Sequence, residues 1–466
     1  MAFGIFKKPR NADIIYRNGH IYTQDPEFPW AESVACRDGR VLAVGDFDGM
    51  NEITGSDTEI IDLEGKYMFP GFIDVHDTPS LQVLKGLYLE IDPIWDLDTV
   101  LEYTAEYAQS CEKDIIFGYG YNENLLTDYD TPAEVMKILD EIETDRPVLL
   151  LSTGGYHCWM NTLASTIVVE TVDEEEDLQF ISAVDLLMNI LSPFDYEEIE
   201  ERIRQYTKVL ADKGITSVLD LCSPEYFSLL YQDSLLAMIG DSEPIRQRYF
   251  GSLYLNRSLP LRLILHRLST GRTKCTEMDG LMTFDVLKLE TCDDENLSYF
   301  SQETLDELCL AACEKGFDIH LDALDAASVD RAFHTFERVR NKGYKGNALV
   351  LAAEGVSTPD DASFIVTWPT DYLNKSVFGH VNSVEEAIDQ LTAGAAAILG
   401  KERDFGSIEQ GKIADFTVFE ENPFDAGLQK FSGMHASMTI MDSMITYDAE
   451  AELEEEMYDL LTTMRL

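Results

Sequence analysis

Residues that can bind a metal or move a proton follow several apolar, strand-like runs of this sequence. His76 and Asp77 end the run FPGFIDV, and Lys288 lies near the end of DVLKLET. His320 and Asp322 alternate in FDIHLDAL, so both side chains lie on one face if this run is a strand. Imidazole and carboxylate groups can bind a divalent metal or relay a proton. These runs therefore predict a metal-dependent or acid–base site where strands end.

Each of these residues also has a structural explanation. His76 can be a hydrogen-bonded histidine at the end of a strand. A buried Lys288 is most simply kept charged by an ion pair with Asp322 or Asp293. His320 and Asp322 can form a hydrogen-bonded couple rather than a pair of ligands. The residue types alone leave both interpretations open.

The middle of the chain, residues 68–404, alternates strand-like and helix-like segments. This alternation predicts a parallel sheet, and a barrel is its expected closed form. In an α/β barrel the chemistry lies at the C-terminal ends of the strands, which suits a strand ending in His76 and Asp77. Strands are predicted over 114–121, 146–152, 214–221, 261–268, 285–291, 317–324, 347–354 and 363–368. Amphipathic helices are predicted over 99–113, 195–214, 301–316 and 325–343.

The two ends of the chain show strand alternation with turn signals such as Asn18-Gly19 and Asp38-Gly39. Neither end has enough strands to close a sheet alone. We therefore expect residues 1–67 and 405–466 to form one small β-sandwich, with a terminal amphipathic helix over 449–466.

The balance of charge limits the partners of this chain. Its 466 residues include 86 Asp and Glu against 35 Lys and Arg, a formal net charge of −51. Such a surface repels phosphate backbones and anionic membranes, which argues against nucleic acid and membrane partners. No run approaches the roughly 18 apolar residues of a membrane span, and no signal peptide is recognisable. We expect a cytoplasmic protein with reduced cysteines that binds a small molecule, and a homodimer is the commonest oligomer for such a chain.

Four segments resemble motifs of the amidohydrolase superfamily, specifically its YtcJ-like group, amidohydrolase family 3. They are PGFIDVHDT, IIFGYGYNENLL, RPVLLLSTGGYHCWMNTLA and the C-terminal SVEEAIDQLTAGAAAILG with FGSIEQGKIADFTVF. The resemblance covers nearly the whole chain. It implies a distorted TIM (β/α) barrel over 68–404 with a β-sandwich built from both termini. It also implies hydrolysis of a C–N bond with one or two divalent metals, such as zinc, manganese or iron.

The resemblance assigns metal-site positions residue by residue. His76 matches the first histidine of the family's HxH pair, whereas Thr78 replaces the second. Lys288 matches a lysine that is carboxylated and bridges the metals in binuclear members. Asp322 stands where the family has a histidine, and His320 lies two residues earlier. The resemblance therefore implies His76, Lys288, His320 and Asp322 as candidate metal ligands.

Other family positions depart further. Leu351–Ala353 replaces the EHA motif and contains no ligand. Asp371 stands in place of a histidine and is the candidate for proton transfer, because the family's catalytic GSD aspartate has no counterpart. Asp371 follows the run WPT. Only 14 residues, 370–383, separate this run from the next predicted helix, SVEEAIDQL, so the barrel is expected to be complete or short by one element. Tyr156, His157 and Trp159 are candidates for substrate binding, although Trp159 equally suits the core.

Two functions follow from these patterns. The first is a metal-dependent hydrolase of a small amide-type molecule with a rewired site. The second is a non-catalytic barrel of the same fold that binds a small ligand or a partner, because several family ligands are replaced together.

Overall fold

The computed structural model describes residues 11–155, 157–171, 183–221, 225–238, 245–255, 259–276, 278, 280–291, 300–323, 325–353, 355–356, 363–367 and 379–454. Its strands in chain order are β1 (Ile14–Arg17), β2 (His20–Tyr22), β3 (Trp30–Ala31), β4 (Ser33–Arg37), β5 (Arg40–Gly45), β6 (Glu59–Asp62), β7 (Tyr67–Pro70), β8 (Phe72–Asp74), β9 (Leu89–Glu90), β10 (Ile116–Tyr121), β11 (Val148–Ser152), β12 (Cys158–Met160), β13 (Ile215–Asp220), β14 (Arg248–Leu255), β15 (Met282–Glu290), β16 (Asp318–Asp322), β17 (Leu349–Ala352), β18 (Ile365–Thr367), β19 (Phe416–Phe419), β20 (Met438–Met441) and β21 (Met444–Asp448).

The helices are α1 (Pro79–Leu84), α2 (Leu97–Ser110), α3 (Pro132–Asp140), α4 (Thr162–Thr171), α5 (Ala183–Leu191), α6 (Tyr196–Asp212), α7 (Glu225–Met238), α8 (Leu261–Cys275), α9 (Gln302–Glu314), α10 (Ala326–Asn341), α11 (Val384–Asp389), α12 (Ala395–Ile398), α13 (Pro423–Ala426) and α14 (Leu428–Phe431). A π-helical turn, Gln390–Gly394, joins α11 to α12.

Three of the predicted helices begin at a capping side chain. Asp195, Ser301 and Asp325 each accept a hydrogen bond from a backbone N–H in the first turn of α6, α9 and α10. Such caps satisfy donors that a helix cannot satisfy internally. Gly214 follows α6 with a positive φ of 78°, and a side chain there would collide with Thr417. The predicted helices end at the Lys-Gly pairs because the chain must turn sharply into the next strand.

Seven strands form one parallel sheet in the order β18-β17-β16-β15-β14-β13-β8. It forms half of a distorted TIM-like barrel. Strands β9 to β12 form a separate sheet. The prediction that 261–268 is a strand was wrong, because these residues begin α8. Their buried positions, including Ile264, Leu268 and Cys275, are spaced by about one or two helical turns. The strand at this place in the sheet is β14, which the sequence did not predict.

The concave face of this sheet is filled from within the chain. Apolar side chains of β8, β13, β14, β15 and β17 pack against α12 and Phe405. The packing partners include Phe250, Val286 and Val350 on the sheet and Ile398 on α12. This packing places α12 against the inner face of the half-barrel.

Strands from the two ends of the chain pair in one sheet, because β19 lies antiparallel to β7. This sheet has the order β21-β20-β19-β7-β2-β3, and a second sheet has the order β5-β4-β1-β6. Residues of both sheets share one hydrophobic cluster. The expected terminal helix is present over 449–454, and 455–466 lie outside the described residues.

A buried ion-pair network joins the half-barrel to the six-stranded sheet. Arg248, the first residue of β14, donates from Nε to Asp415 Oδ2 at 3.1 Å and also pairs with Asp442. The side chains of Arg248 and Asp415 are 2% and 4% exposed. Burial alone would lower the pKa of Arg248, but the two carboxylates raise it above its usual value. The network therefore fixes the two parts of the chain to each other.

Two further findings bear on the class of protein. Among the described residues, no helix is both long and apolar enough to cross a membrane. The six described cysteines are free thiols, as expected for reduced side chains.

Candidate active site

The C-terminal ends of β14, β15 and β16 bring a cluster of polar side chains together. Tyr254, Lys288 and His320 are direct partners in the parallel register. Glu290 and Asp322, two residues further along their strands, are partners in the same register. Because side chains alternate along a strand, all five lie on one face of the sheet. We call these five residues the mouth cluster.

Lys288 is the most buried charge in the mouth cluster. Its ammonium group pairs with a carboxylate oxygen of Asp322. The Lys288 side chain is 2% exposed, whereas that of Asp322 is 20% exposed. A charge this deep is costly unless it is paired, so the ion pair explains how the lysine remains in the sheet. Of the two ion-pair partners that the sequence suggested for Lys288, the structure therefore pairs it with Asp322.

Glu290 adds a second carboxylate beside this ion pair. Tyr254 donates its hydroxyl hydrogen bond to Glu290 Oε1. Burial raises the pKa of Glu290, and the nearby Asp322 raises it further, while Tyr254 and Lys288 act in the opposite direction. The sequence interpretation missed both Tyr254 and Glu290. The signal for Glu290 was available, since it follows Lys288 by two residues on a predicted strand.

His320 is buried in the same cluster, with 2% of its surface exposed. Burial lowers its pKa well below the usual value for histidine, and the charges of Lys288 and His76 lower it further. The imidazole is therefore neutral. The backbone of Ile398 acts in the opposite direction and raises the pKa. Within the described part of the chain, the buried Nε2 atom of His320 has no hydrogen-bond partner.

His76 lies just beyond β8 and is close enough to His320 to affect its pKa. Its backbone N–H donates to Asp74 Oδ1 at 3.1 Å. The neighbouring Asp77 does not join the mouth cluster. Its carboxylate accepts hydrogen bonds from the backbone N–H of Thr78 at 2.7 Å and from the hydroxyl of Tyr206, on α6, at 2.5 Å. Asp77 therefore fixes the start of α1 and its packing against α6.

The candidates for substrate binding are spread out. His157 is half exposed and pairs with Glu123 at 3.1 Å. Trp159 is 1% exposed and donates from Nε1 to the backbone oxygen of Val135 at 2.8 Å, within a separate hydrophobic cluster. Trp159 thus occupies the core position that its sequence also allowed. Tyr156 and the proton-transfer candidate Asp371 lie outside the described residues.

The donors of the mouth cluster do not fit the two-metal centre that the resemblance implies. Lys288 is held as an ammonium partner of Asp322, so neither group is presented as a ligand. Thr78 stands at the N-terminus of α1, and β17 contributes apolar residues at Leu351 and Ala352. No group of three or more His, Cys, Asp or Glu side chains that could hold a metal ion occurs among the described residues.

The sequence of this chain matches one family model and is similar to individual proteins. The model of the family described as "Amidohydrolase family" matches residues 59–372 and 377–447. The chain is 24% identical to the amidohydrolase-type protein YtcJ of Bacillus subtilis, over 93% of this chain and 99% of that protein. It is 20% identical to the N-substituted formamide deformylase of Arthrobacter pascens, over 94% of this chain and 98% of the relative.

Solved structures agree on the fold. A metal-dependent hydrolase of Pyrococcus horikoshii aligns with a TM-score of 0.57 at 17% identity, covering 91% of this chain and 99% of that one. A zinc-bound adenosine deaminase of Xanthomonas campestris aligns with a TM-score of 0.55 at 11% identity, covering 98% and 99% of the two chains. At these identities the similarity establishes the architecture and leaves the site to be judged by its own residues.

Proposed function

Because this chain belongs to the amidohydrolase family, we propose that it hydrolyses a C–N bond in a small amide-type molecule bound at the mouth cluster. The observation that carries the proposal is the pairing of Lys288 and His320 in register, both buried and both on the face of the sheet that lines the half-barrel. Buried polar groups at the C-terminal ends of barrel strands are typical of sites that act on small molecules.

The mouth cluster supplies two kinds of group for such a reaction. The ammonium group of Lys288 can donate a hydrogen bond to a carbonyl oxygen on which negative charge develops. Neutral His320 and the carboxyl group of Glu290 can exchange a proton with water or with the departing amine. Asp371 remains a predicted proton-transfer residue. Since the described donors do not fit a metal centre, no step is assigned to a metal.

The test is turnover of a panel of N-substituted formamides, simple amides and cyclic amides, followed by release of amine or ammonia. Each assay is run without added metal and with zinc, manganese or iron. We expect Lys288→Met and His320→Gln to lower kcat/KM by about a hundredfold or more, as loss of a transition-state hydrogen bond does. Glu420→Gln, which removes an exposed charge just after β19, is the control and should leave turnover unchanged.

Metal content is measured separately on protein purified without chelators. Stoichiometric metal in the parent chain that is lost in His76→Ala would identify His76 as a ligand. Absence of turnover on the whole panel, with and without metals, would contradict the hydrolase proposal.

A second candidate function is binding of a small molecule without hydrolysis. It is favoured by the ion pair between Lys288 and Asp322, which satisfies two of the four predicted metal ligands with each other. Retention of ligand binding in a chain without turnover would support this candidate.

A further inference from the structure

We propose that a surface groove beside β2 and β3 binds a small organic cation whose charged nitrogen carries alkyl groups, such as a quaternary ammonium compound. The groove has a volume of about 590 Å³, which is in the range of small-molecule sites. It shares no residue with the mouth cluster, so the inference goes beyond the proposed hydrolysis and does not depend on it. The side chains used below are Phe28, Trp30, Glu32 and Asp46, and we call this site the aromatic groove.

Two large apolar side chains of the aromatic groove are left open to solvent. Phe28 is 46% exposed and Trp30 is 42% exposed. The indole ring of Trp30 is held in place by the rings of Tyr22 and Phe424, at centroid distances of 5.1 Å and 5.9 Å. Exposed apolar side chains that share one concave surface are typical of binding sites. The groove therefore offers a fixed aromatic surface to a ligand.

The charged side chains that line the aromatic groove are acidic. Glu32 and Asp46 are both exposed, and no Lys or Arg lines the groove within the described part of the chain. The cations that are nearest along the chain are Arg17 and Lys66. Each is held by a carboxylate in an ion pair, at 3.3 Å and 2.8 Å respectively. An anionic ligand would therefore be repelled from the groove, whereas a cation would be attracted.

The aromatic rings and the carboxylates together favour one class of ligand. A cation is attracted to the negative face of an aromatic ring, and tryptophan is the ring that attracts it most strongly. Alkyl groups on the nitrogen can pack on Phe28 and Trp30, while the charge lies near Glu32 and Asp46. A neutral ligand would gain only the apolar contact, and a hydrated inorganic ion would gain only the charge. An alkylated ammonium ion gains both.

The experiment compares choline with its neutral analogue dimethylbutanol, in which carbon replaces the charged nitrogen. Binding is followed by calorimetry and by tryptophan fluorescence at about 0.15 M potassium chloride, where the Debye length of about 8 Å suppresses attraction to distant acidic groups. We expect choline to bind with a Kd on the order of 1 mM or tighter. Dimethylbutanol should bind at least about fivefold more weakly. Methyl glucoside, the probe for a sugar site, should not bind.

Variants of the aromatic groove separate the contribution of the rings from that of the charge. Trp30→Leu should weaken choline binding by about fivefold or more. Glu32→Gln should weaken choline binding by about two- to threefold and leave dimethylbutanol binding unchanged. The matched controls are Tyr103→Leu, at a 44% exposed aromatic residue of α2, and Glu337→Gln, at an exposed glutamate of α10. Neither control should change the affinity for choline.

The inference is overturned if choline does not bind, or if dimethylbutanol or methyl glucoside binds as tightly as choline. It is also overturned if Trp30→Leu has no larger effect than Tyr103→Leu, because choline would then bind elsewhere on the acidic surface. Circular dichroism and thermal unfolding verify that each variant is folded. If Trp30→Leu does not fold, Phe28→Ala and Glu32→Gln decide the question against the same controls. The amide panel tests the hydrolase proposal separately, since the two sites have no residue in common.

Discussion

The seven-stranded sheet holds a buried cation near each end of its strands, and the surroundings of the two differ. Arg248 begins β14 and contacts two carboxylates, Asp415 and Asp442. Lys288 lies near the end of β15 and also has two carboxylates nearby, but it pairs with Asp322 while Tyr254 bonds to Glu290. Both regions therefore contain one cation and two acids.

The difference follows from the two side chains. A guanidinium group has five donors in a fixed plane and can contact several carboxylate oxygens at once. Arg248 uses this geometry at Asp415, Asp442 and the carbonyl of Gly280. An ammonium group is a compact point charge on a flexible chain. The Arg248 region is thus suited to hold two sheets together, whereas in the mouth cluster Lys288 pairs with Asp322 and Tyr254 bonds to Glu290.

Replacing Arg248 with methionine should produce the largest loss of stability. The change leaves Asp415, 4% exposed, without its cation, and breaking a buried pair costs about 3–5 kcal/mol. Chemical denaturation should show this as a lower free energy of unfolding. Lys85→Met, at an ion pair whose side chains are 62% and 51% exposed, should cost less than about 1 kcal/mol. Equal losses in the two variants would show that the Arg248 network does not stabilise the fold.

Replacing Lys288 with methionine should cost less, about 1–3 kcal/mol, because water can solvate part of Asp322. The side chain of that aspartate is 20% exposed. Adding Asp322→Asn should restore much of the lost stability, since the unpaired carboxylate is then removed. A double-mutant cycle on the free energy of unfolding measures the coupling. A loss of stability as large as that of Arg248→Met would show that the mouth cluster also stabilises the fold.

The mouth cluster was partly predictable from sequence, and the reason lies in strand parity. β15 and β16 are apolar runs that alternate, so Lys288, His320 and Asp322 could be placed on one face, and the structure brings them together. The same reasoning applied to Glu290 would have found it. Tyr254 was out of reach, because its strand, β14, was not predicted.

The Arg248 network could not be predicted for a related reason. Arg248 meets Asp415 across 167 residues of sequence, and such a contact requires knowledge of how β14 faces the six-stranded sheet. The run at 261–268 attracted the strand prediction because its apolar residues fit an alternating pattern as well as a helical one. Its helical form is decided by packing of α8 on the sheet, which short-range pattern does not contain.

Asp318, at the start of β16, allows a test of how a buried carboxylate at the N-terminal end of a strand changes the stability of the chain with pH. Burial raises its pKa from 3.8 to about 6, although the backbone N–H of Ala348 opposes the shift and Asp285 adds to it. A raised folded-state pKa means that its contribution to stability is present below pH 4 and is lost as the pH rises through about 6.

Asp318→Asn keeps an acceptor for Ala348 and removes the buried charge. We expect it to stabilise the chain by on the order of 1–2 kcal/mol at pH 8 and to have little effect near pH 4. Free energies of unfolding at a series of pH values measure the difference. A variant that is less stable than the parent at pH 8 would show that the charged carboxylate of Asp318 is required at this end of the sheet.

The smallest effect on stability is expected for Glu290→Gln. The glutamine can still accept the hydrogen bond of Tyr254, and it removes a carboxylate whose charged form is disfavoured by burial and by Asp322. The free energy of unfolding should change by less than about 1 kcal/mol, in either direction, because no buried cation loses its direct partner. Lys288 retains Asp322 in this variant. If Glu290→Gln instead unfolds the chain as readily as Arg248→Met, Glu290 is part of the structural framework, and the two ends of the sheet use their second carboxylate in the same way. If stability is unchanged while turnover falls, that carboxylate serves the proposed reaction, and the two ends differ in purpose as well as in geometry.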